Sequence, residues 1–319
     1  MVENKLLTVS APPHIYGNDS IERRMRDVLI ALTPAMFFAI YFYGVPAIIT
    51  TAIAVISAMA AEFLFQRIMN RKSTVGDYSA ALTGLLLAFN LPPAIPLWIP
   101  VLGSFFAIIV VKQLFGGLGS NFMNPALAAR AFLLTSFPVH MTSWTLAPDA
   151  VTGATYLGRI KHEGFIPQQA DYMNLLFGNM GGTIGEVSAA ALIAGGIYLL
   201  VRRVINWRIP VFYIGSFVVF GYIFARDGLF NSSFILFEVL AGGLLLGAIY
   251  MATDYATAPI SHRGRIIFAI GCGFLTVMFR FHGGYPEGVS YAILIMNLFV
   301  PMIDKYVRPS VYGKGKKKA

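Results

Sequence analysis

Ser79-Ala80-Ala81-Leu82-Thr83-Gly84-Leu85-Leu86-Leu87-Ala88-Phe89-Asn90-Leu91 is almost wholly apolar and then meets Pro92-Pro93. As a helix this segment reaches only about 20 Å, against a hydrocarbon core of about 30 Å. It predicts a partial helix, a form tolerated at membrane depth only where protein or a watery cavity satisfies the freed backbone groups. The segment 124–138, which opens on Asn124-Pro125, predicts the same. Outward from these two, the apolar residues fall into ten blocks, at about 28–44, 46–65, 79–91, 95–111, 124–138, 184–201, 209–225, 234–251, 265–281 and 287–304. The chain of 319 residues is 57% hydrophobic and 12% charged, against roughly 45–50% and about 25% in a soluble domain. A water-soluble globule is excluded, and an all-α polytopic membrane protein of about ten transmembrane helices is expected.

Charge gives the topology. With the N-terminus in the cytoplasm, alternate loops collect 19 of the 24 Lys and Arg on one side, among them Arg23, Arg24, Arg26, Lys112, Arg202 and the Lys314–Lys318 run. The other side holds only Arg159, Lys161, Arg226 and Arg280, with Arg130 inside a helix. By the positive-inside rule both termini are cytoplasmic, and the long loop 139–183 lies on the outer face. Gly84-Leu85-Leu86-Leu87-Ala88 recurs 159 residues later as Gly243-Leu244-Leu245-Leu246-Gly247, and Gly116-Gly117-Leu118-Gly119 is matched by Gly283-Gly284-Tyr285-Pro286. Five spans per half would set two repeats in opposite orientations. The expected organisation is a cytoplasmic tail 1–27, a five-helix repeat 28–138, the outer loop 139–183, a second repeat 184–304 and a basic tail 305–319.

Several function classes are excluded. The first 27 residues lack the apolar core and cleavage site of a secretory signal. Cys272 stands alone in an apolar block, so this chain builds neither a disulfide nor a thiolate metal cluster by itself. The histidines at 14, 140, 162, 262 and 282 have no metal-ligand spacing. The +9 charge sits in short loops with no basic face for nucleic acid.

The outer loop contains Asp149-Ala150-Val151-Thr152-Gly153-Ala154-Thr155-Tyr156-Leu157. Thr152-Gly153-Ala154-Thr155 is small, with a glycine suited to a tight turn, and would leave the Thr155 hydroxyl open beside a carboxylate. Such a hydroxyl can be acylated or phosphoryl-linked; the plain alternative is an exposed turn held by an Asx contact from Asp149. The stretch resembles the flavinylation motif Asp-Gly-x-Ser/Thr-Gly-Ala-Thr of the RnfD/NqrB family, with Ala150 in place of the usual glycine. Thr83 to Pro93 is similar to the family's short third helix. Lys112-Gln113-Leu114-Phe115-Gly116-Gly117-Leu118-Gly119, followed by Asn121 and Asn124-Pro125-Ala126, is similar to its glycine-rich entry to the fifth. Met251-Ala252-Thr253-Asp254, Gly283 to Val289 and Met296-Asn297 resemble its second-half signatures. The length and short leading tail favour the RnfD branch.

The resemblance implies two inverted five-helix repeats of urea-transporter type. It also implies FMN esterified through its phosphate to Thr155, with Asp149, Thr152, Gly153 and Ala154 read by a flavin-attaching transferase, and raises a non-covalent riboflavin. It implies membership of a redox-driven sodium or proton pump in the plasma membrane, inactive alone, beside a second outer-face flavoprotein and iron–sulfur subunits. A tethered flavin needs no tight pocket, since attachment replaces association. The rival readings are a solute channel or secondary transporter without redox chemistry, and a structural anchor for redox partners.

Charges within the blocks carry further expectations. Arg130 needs an acidic partner, for which Glu62 and Glu238 are nearest in depth; a structural ion pair is favoured over a gate or flavin clamp. Glu62 is expected to snorkel toward the cytoplasm. Asp254, beside Thr253 and Thr257, offers hard oxygens to an ion or caps a helix. Together Asp254, Thr253, Arg130, Glu62 and Glu238 mark the expected ion path. Asn121 and Asn124 are read as caps ahead of Pro125, with amide recognition of a flavin ring as the second reading.

Overall fold

The computed structural model describes residues 20–146, 151–152, 155–163, 169–178, 181–224, 232–284 and 287–307. The principal helices are α1 (Ile21–Tyr43), α2 (Val45–Ile68), α3 (Ser79–Phe89), α4 (Trp98–Gln113), α5 (Pro125–Ser136), α6 (Tyr156–Glu163), α7 (Gln169–Phe177), α8 (Ala189–Val201), α9 (Arg208–Phe224), α10 (Ser232–Leu240), α11 (Leu244–Met251), α12 (His262–His282) and α13 (Val289–Tyr306). Each predicted apolar block carries a helix, and the block 234–251 carries two. The strand content among the described residues is a two-residue antiparallel pairing of Thr145–Leu146 with Val151–Thr152. Four helices, α1, α2, α12 and α13, are long and apolar enough to cross a membrane; α10 and α11, bent by 60°, form a fifth candidate, and α3, α4, α8 and α9 are apolar but shorter. The chain is an all-α polytopic membrane protein.

Both segments expected to be partial are so. α3 has 11 residues and α5 has 12, each about 17–18 Å long. The predicted tail ends earlier than its polarity suggests. Ser20 accepts a hydrogen bond from Arg23 N at 3.2 Å, so α1 starts at Ile21 and takes in Arg23, Arg24 and Arg26. Its first turns are held by Asp27, which pairs with Arg202 at 3.3 Å. The long loop 139–183 likewise contains two helices, α6 and α7. Their apolar positions Leu157 and Leu175 bury against Phe237 and Ala241 of the α10 arm, a pattern too brief to stand out in a polar stretch.

Packing brings α8 against α1, α13 against α5, α3 and α4 against α2, and α12 against α9. The first contact is tight because Gly195 has no side chain: a Cβ there would lie 2.0 Å from Ala31 O and 2.2 Å from the Tyr250 hydroxyl, which itself donates to Leu192 O at 2.9 Å. Gly195→Ala is expected to cost about 1–3 kcal/mol by overpacking, seen as a lowered unfolding midpoint in detergent.

The two halves of the Gly-Leu-Leu-Leu echo are used differently. Gly84 lies within α3, where a Cβ would sit 2.7 Å from Ala54 O, so it lets α3 lie flush on α2. Gly243 opens α11 just after the bend, where Gly242 has φ +68°. Two stretches are π-helical, Phe106–Gln113 at the end of α4 and Gly247–Met251 in α11. Such departures concentrate at functional sites, and both of these border charged or polar clusters.

Candidate functional site

Thr155 is the N-cap of α6. Its Oγ1 accepts from Gly158 N at 3.2 Å and its carbonyl from Arg159 N at 2.9 Å. The residue is buried, at 6% exposure, which corrects the expectation of an open hydroxyl on a turn: capping a helix turns the oxygen toward the backbone N–H groups of the first turn. Of the rest of the motif, Thr152 is described in its backbone, paired with Thr145. Asp149, Gly153 and Ala154 lie outside the described residues.

α6 is seated on the bend between α10 and α11. Leu157 packs with Phe237 and Ala241, the Tyr156 ring meets Phe237 edge-on at 5.5 Å, and Lys161 Nζ donates to Arg280 O at 3.1 Å. Beneath it, Arg280 donates to Glu238 Oε2 at 2.9 Å, to Glu238 O and to Ala241 O at 3.1 Å. These carbonyls belong to the end of α10, where a helix leaves its last carbonyls unsatisfied. The guanidinium also lies over the Phe217 ring. Glu238 is therefore held by Arg280, and is not the partner of Arg130.

Arg130, at mid-α5, pairs instead with Glu287 and donates from Nη1 to Asn90 Oδ1 at 2.7 Å. Asn90 is the C-cap of α3, donating from Nδ2 to Leu86 O at 2.6 Å. Glu287 stands at the head of the apolar block 287–304, two residues ahead of α13; the pairing is hidden in the sequence because the partners are 157 residues apart. Glu186, on the 3₁₀ turn Ile184–Glu186 ahead of α8, is buried beside this group. A sequence signal for it exists: a lone acid inside the apolar block 184–201.

Glu62 does not snorkel. It is fully buried, with Lys112 Nζ at 3.0 and 3.1 Å from its two oxygens, Gln113 Nε2 at 2.7 Å and Thr74 Oγ1 at 3.0 Å. Lys112 also donates to Ser79 Oγ at 2.6 Å. The cause lies in the π-helical end of α4, which turns Lys112 and Gln113 inward where a loop is expected.

Asp254 caps no helix and stands in the turn between α11 and α12, where Ser261 is the cap of α12. The Asp254 carboxylate accepts from Ala256 N at 3.4 Å and Thr257 Oγ1 at 3.2 Å, while Thr253 Oγ1 donates back to Ile249 O at 2.7 Å. Asp254, Thr253, Ser79, Lys112, Asn121 and Asn124 share the wall of a cavity of about 80 Å³. An open cleft of about 610 Å³ adjoins it, sharing Arg24, Leu118, Asp254 and Tyr255. Asn124 caps α5 as expected, accepting from Ala126 N at 3.0 Å and Leu127 N at 3.2 Å, and its Nδ2 donates to Met251 O at 3.2 Å. Asn121 does not cap; it donates to Met123 O at 3.1 Å. Asn124→Ala is expected to cost about 1 kcal/mol, measured as a shift in thermal unfolding in detergent.

The expected ion-path residues thus separate into three charged groups: Glu62 with Lys112 near Asp254, Arg130 with Glu287 and Glu186, and Glu238 with Arg280 beneath Thr155. The last lies at the C-terminal end of α12, which carries Arg280 in its final turn. Among the described residues no cluster of three or more His, Cys, Asp or Glu could hold a metal ion.

Comparison with known proteins follows the same lines. A profile of the NQR2, RnfD, RnfE family matches residues 8–313. The D subunit of the Na(+)-translocating ferredoxin:NAD(+) oxidoreductase complex of Acetobacterium woodii is 48% identical over 311 residues, covering 96% of this chain and 95% of that one. The D subunit of the proton-translocating ferredoxin:NAD(+) oxidoreductase complex of Clostridium ljungdahlii is 41% identical over 324 residues, covering 98% of each. The D subunit of the ion-translocating oxidoreductase complex of Halorhodospira halophila is 37% identical, covering 95% of each.

Proposed function

We infer that this chain, which belongs to the NQR2, RnfD, RnfE family, is the D subunit of an ion-translocating ferredoxin:NAD⁺ oxidoreductase. The observation that carries the reading is identity of 48% and 41% along nearly the whole chain to subunits of that name. One of those relatives is named for sodium and the other for protons, so the ion is left as a monovalent cation. The chain works within a multi-subunit complex, with a further flavoprotein and iron–sulfur subunits as its redox neighbours. It lies in the plasma membrane with both termini in the cytoplasm and Thr155 on the outer face. Its ten apolar blocks form two inverted five-helix repeats; contact between α1 and α8, and between α5 and α13, supports that pairing of halves.

The flavin reading is ours as well. FMN is joined through its phosphate to Thr155 Oγ1 by a transferase that reads Asp149, Thr152, Gly153 and Ala154. What supports it is the cap geometry: an oxygen at the N-terminus of α6 holds a phosphodiester anion next to backbone N–H groups and the positive end of the helix dipole. Bound there, the flavin supplies the electron-transfer chemistry. The chain orients it, Leu157 and Lys161 fixing α6 on the bend. We place a non-covalent riboflavin in the cleft beside Asp254 and Tyr255, whose 610 Å³ falls in the range of about 300–1,000 Å³ of small-molecule sites. Asn124 spends its amide oxygen on α5 and one N–H on Met251 O, which leaves its second N–H as the one group it offers a flavin ring.

The test is purification of a tagged chain from its native membrane. Expected are a multi-subunit complex that couples ferredoxin oxidation to NAD⁺ reduction and ion uptake, and an intact mass raised by one FMN less water. A flavin-free chain that conducts a solute by itself would favour the channel or transporter reading. A complex that transfers electrons equally well without the flavin would favour the structural anchor.

A further inference from the structure

Two buried oxygens near Arg130 lack hydrogen-bond partners among the described residues: Glu186 Oε1 and Thr183 Oγ1. Glu186 is 6% exposed and Thr183 fully buried. They belong to one short segment, Thr183 being the residue that opens the 3₁₀ turn on which Glu186 stands. Glu186 Oε1 faces the start of α11, since a Cβ on Gly243 would lie 3.0 Å from it and 3.8 Å from Arg130 Nη1.

The cations around this point are engaged by other acids. Arg130 from α5 is hydrogen-bonded to Glu287 and Asn90. Arg280 from α12 is engaged by Glu238 and the carbonyls of α10. Tyr43, at the end of α1, donates to Gly182 O at 3.4 Å and carries no charge as a phenol. Glu287 thus takes the ion pair with Arg130 and Glu238 the one with Arg280, leaving the Glu186 carboxylate without a salt bridge among the described residues, in surroundings where an unpaired ion is costly. A buried acid in this position is neutralised by a proton or by a cation with oxygen ligands.

The backbone is arranged for such a ligand. The C-cap of α3, the 3₁₀ turn before α8, the bend between α10 and α11 and the glycine-rich approach to α13 all converge here, and broken elements of this kind bring free carbonyls and helix ends to ion sites. We propose that Glu186 is the carboxylate that takes up and releases the transported monovalent cation, a proton or sodium, with Thr183 Oγ1 as the adjoining oxygen and Arg130 as the positioning charge. A proton would convert Oε1 from an unsatisfied acceptor to a donor; sodium would be met by both orphan oxygens, which are hard ligands. This deepens the reading of the chain as part of an ion-translocating complex and rests on it.

The experiment uses the whole complex in proteoliposomes, driven by reduced ferredoxin and NAD⁺, with radioactive sodium uptake and internal pH followed together. Glu186→Gln is expected to lower cation uptake per electron at least about tenfold, with flavin still on Thr155 and the subunit composition intact. Glu186→Asp, which keeps the charge on a shorter arm, is expected to shift the half-saturating sodium concentration or the pH midpoint of uptake. Gly243→Ala distinguishes the ions: its methyl raises the half-saturating sodium concentration where sodium binds, and leaves uptake unchanged where a proton does, while Glu186→Gln lowers uptake in both. Wild-type uptake per electron in Glu186→Gln overturns the proposal. Should that variant not assemble, wild-type half-saturation and pH midpoint in Glu186→Asp overturn it. Failure of the underlying functional reading looks different, since the wild-type complex would then show no redox-driven uptake at all.

Discussion

Thr155→Ala, produced in cells that attach flavin to the parent chain, is expected to yield a polypeptide with no flavin fluorescence on a denaturing gel and an intact mass equal to its sequence. The loss should be complete, because an alanine has no oxygen to esterify. Electron transfer through the assembled complex should fall to background while the helices remain folded. The structural penalty is separable: removing the cap of α6 costs about 1 kcal/mol, against apolar docking through Leu157, Tyr156 and Lys161. Thr155→Ser keeps both the cap and the nucleophilic oxygen, so it should retain the fold and accept flavin. Fluorescence persisting in Thr155→Ala would move the attachment elsewhere and remove the main support for a redox role of α6.

The largest effect on stability is expected at Lys112. It is the single described cation bonded to Glu62, and both side chains are essentially without solvent. Lys112→Met leaves a bare carboxylate among Gln66, Gln113 and Thr74, a loss of about 3–5 kcal/mol for breaking a buried pair. Adding Glu62→Leu should recover much of this, since an apolar replacement of both partners removes the uncompensated charge. Folded yield and unfolding midpoint in detergent give the comparison. If the single variant matches the parent, the pair contributes nothing to folding; if the double variant is no better than the single, the polar network around Glu62 carries the energy instead.

The helices are readable from sequence because apolar block length has a direct physical meaning in a bilayer, and even the shortness of α3 and α5 is written in their Asn, Pro and Gly borders. Asn124 is readable as a cap for a similar reason, since the requirement is local. Partnerships are not. Arg130 to Glu287 spans 157 residues and Lys112 to Glu62 spans 50, and depth along a helix cannot say which faces meet. Lys112, Glu186 and Glu287 escape notice because each stands where an apolar block gives way to polar sequence, and there the same letters serve a solvated loop or a buried turn. The Thr155 motif is recognisable as a motif, while its place at the head of a helix is hidden by the short amphipathic pattern of α6.

The bend at Gly242–Gly243 has a mechanical consequence. α6 is fastened to one arm through Phe237 and Ala241 and to the neighbouring α12 through Lys161, while the other arm begins against Glu186 and Arg130. The bend thus has the carrier of position 155 on one side and the buried Glu186 carboxylate on the other. The separation of these two places is therefore set by the angle of one bend and not by an intervening chain of bonds.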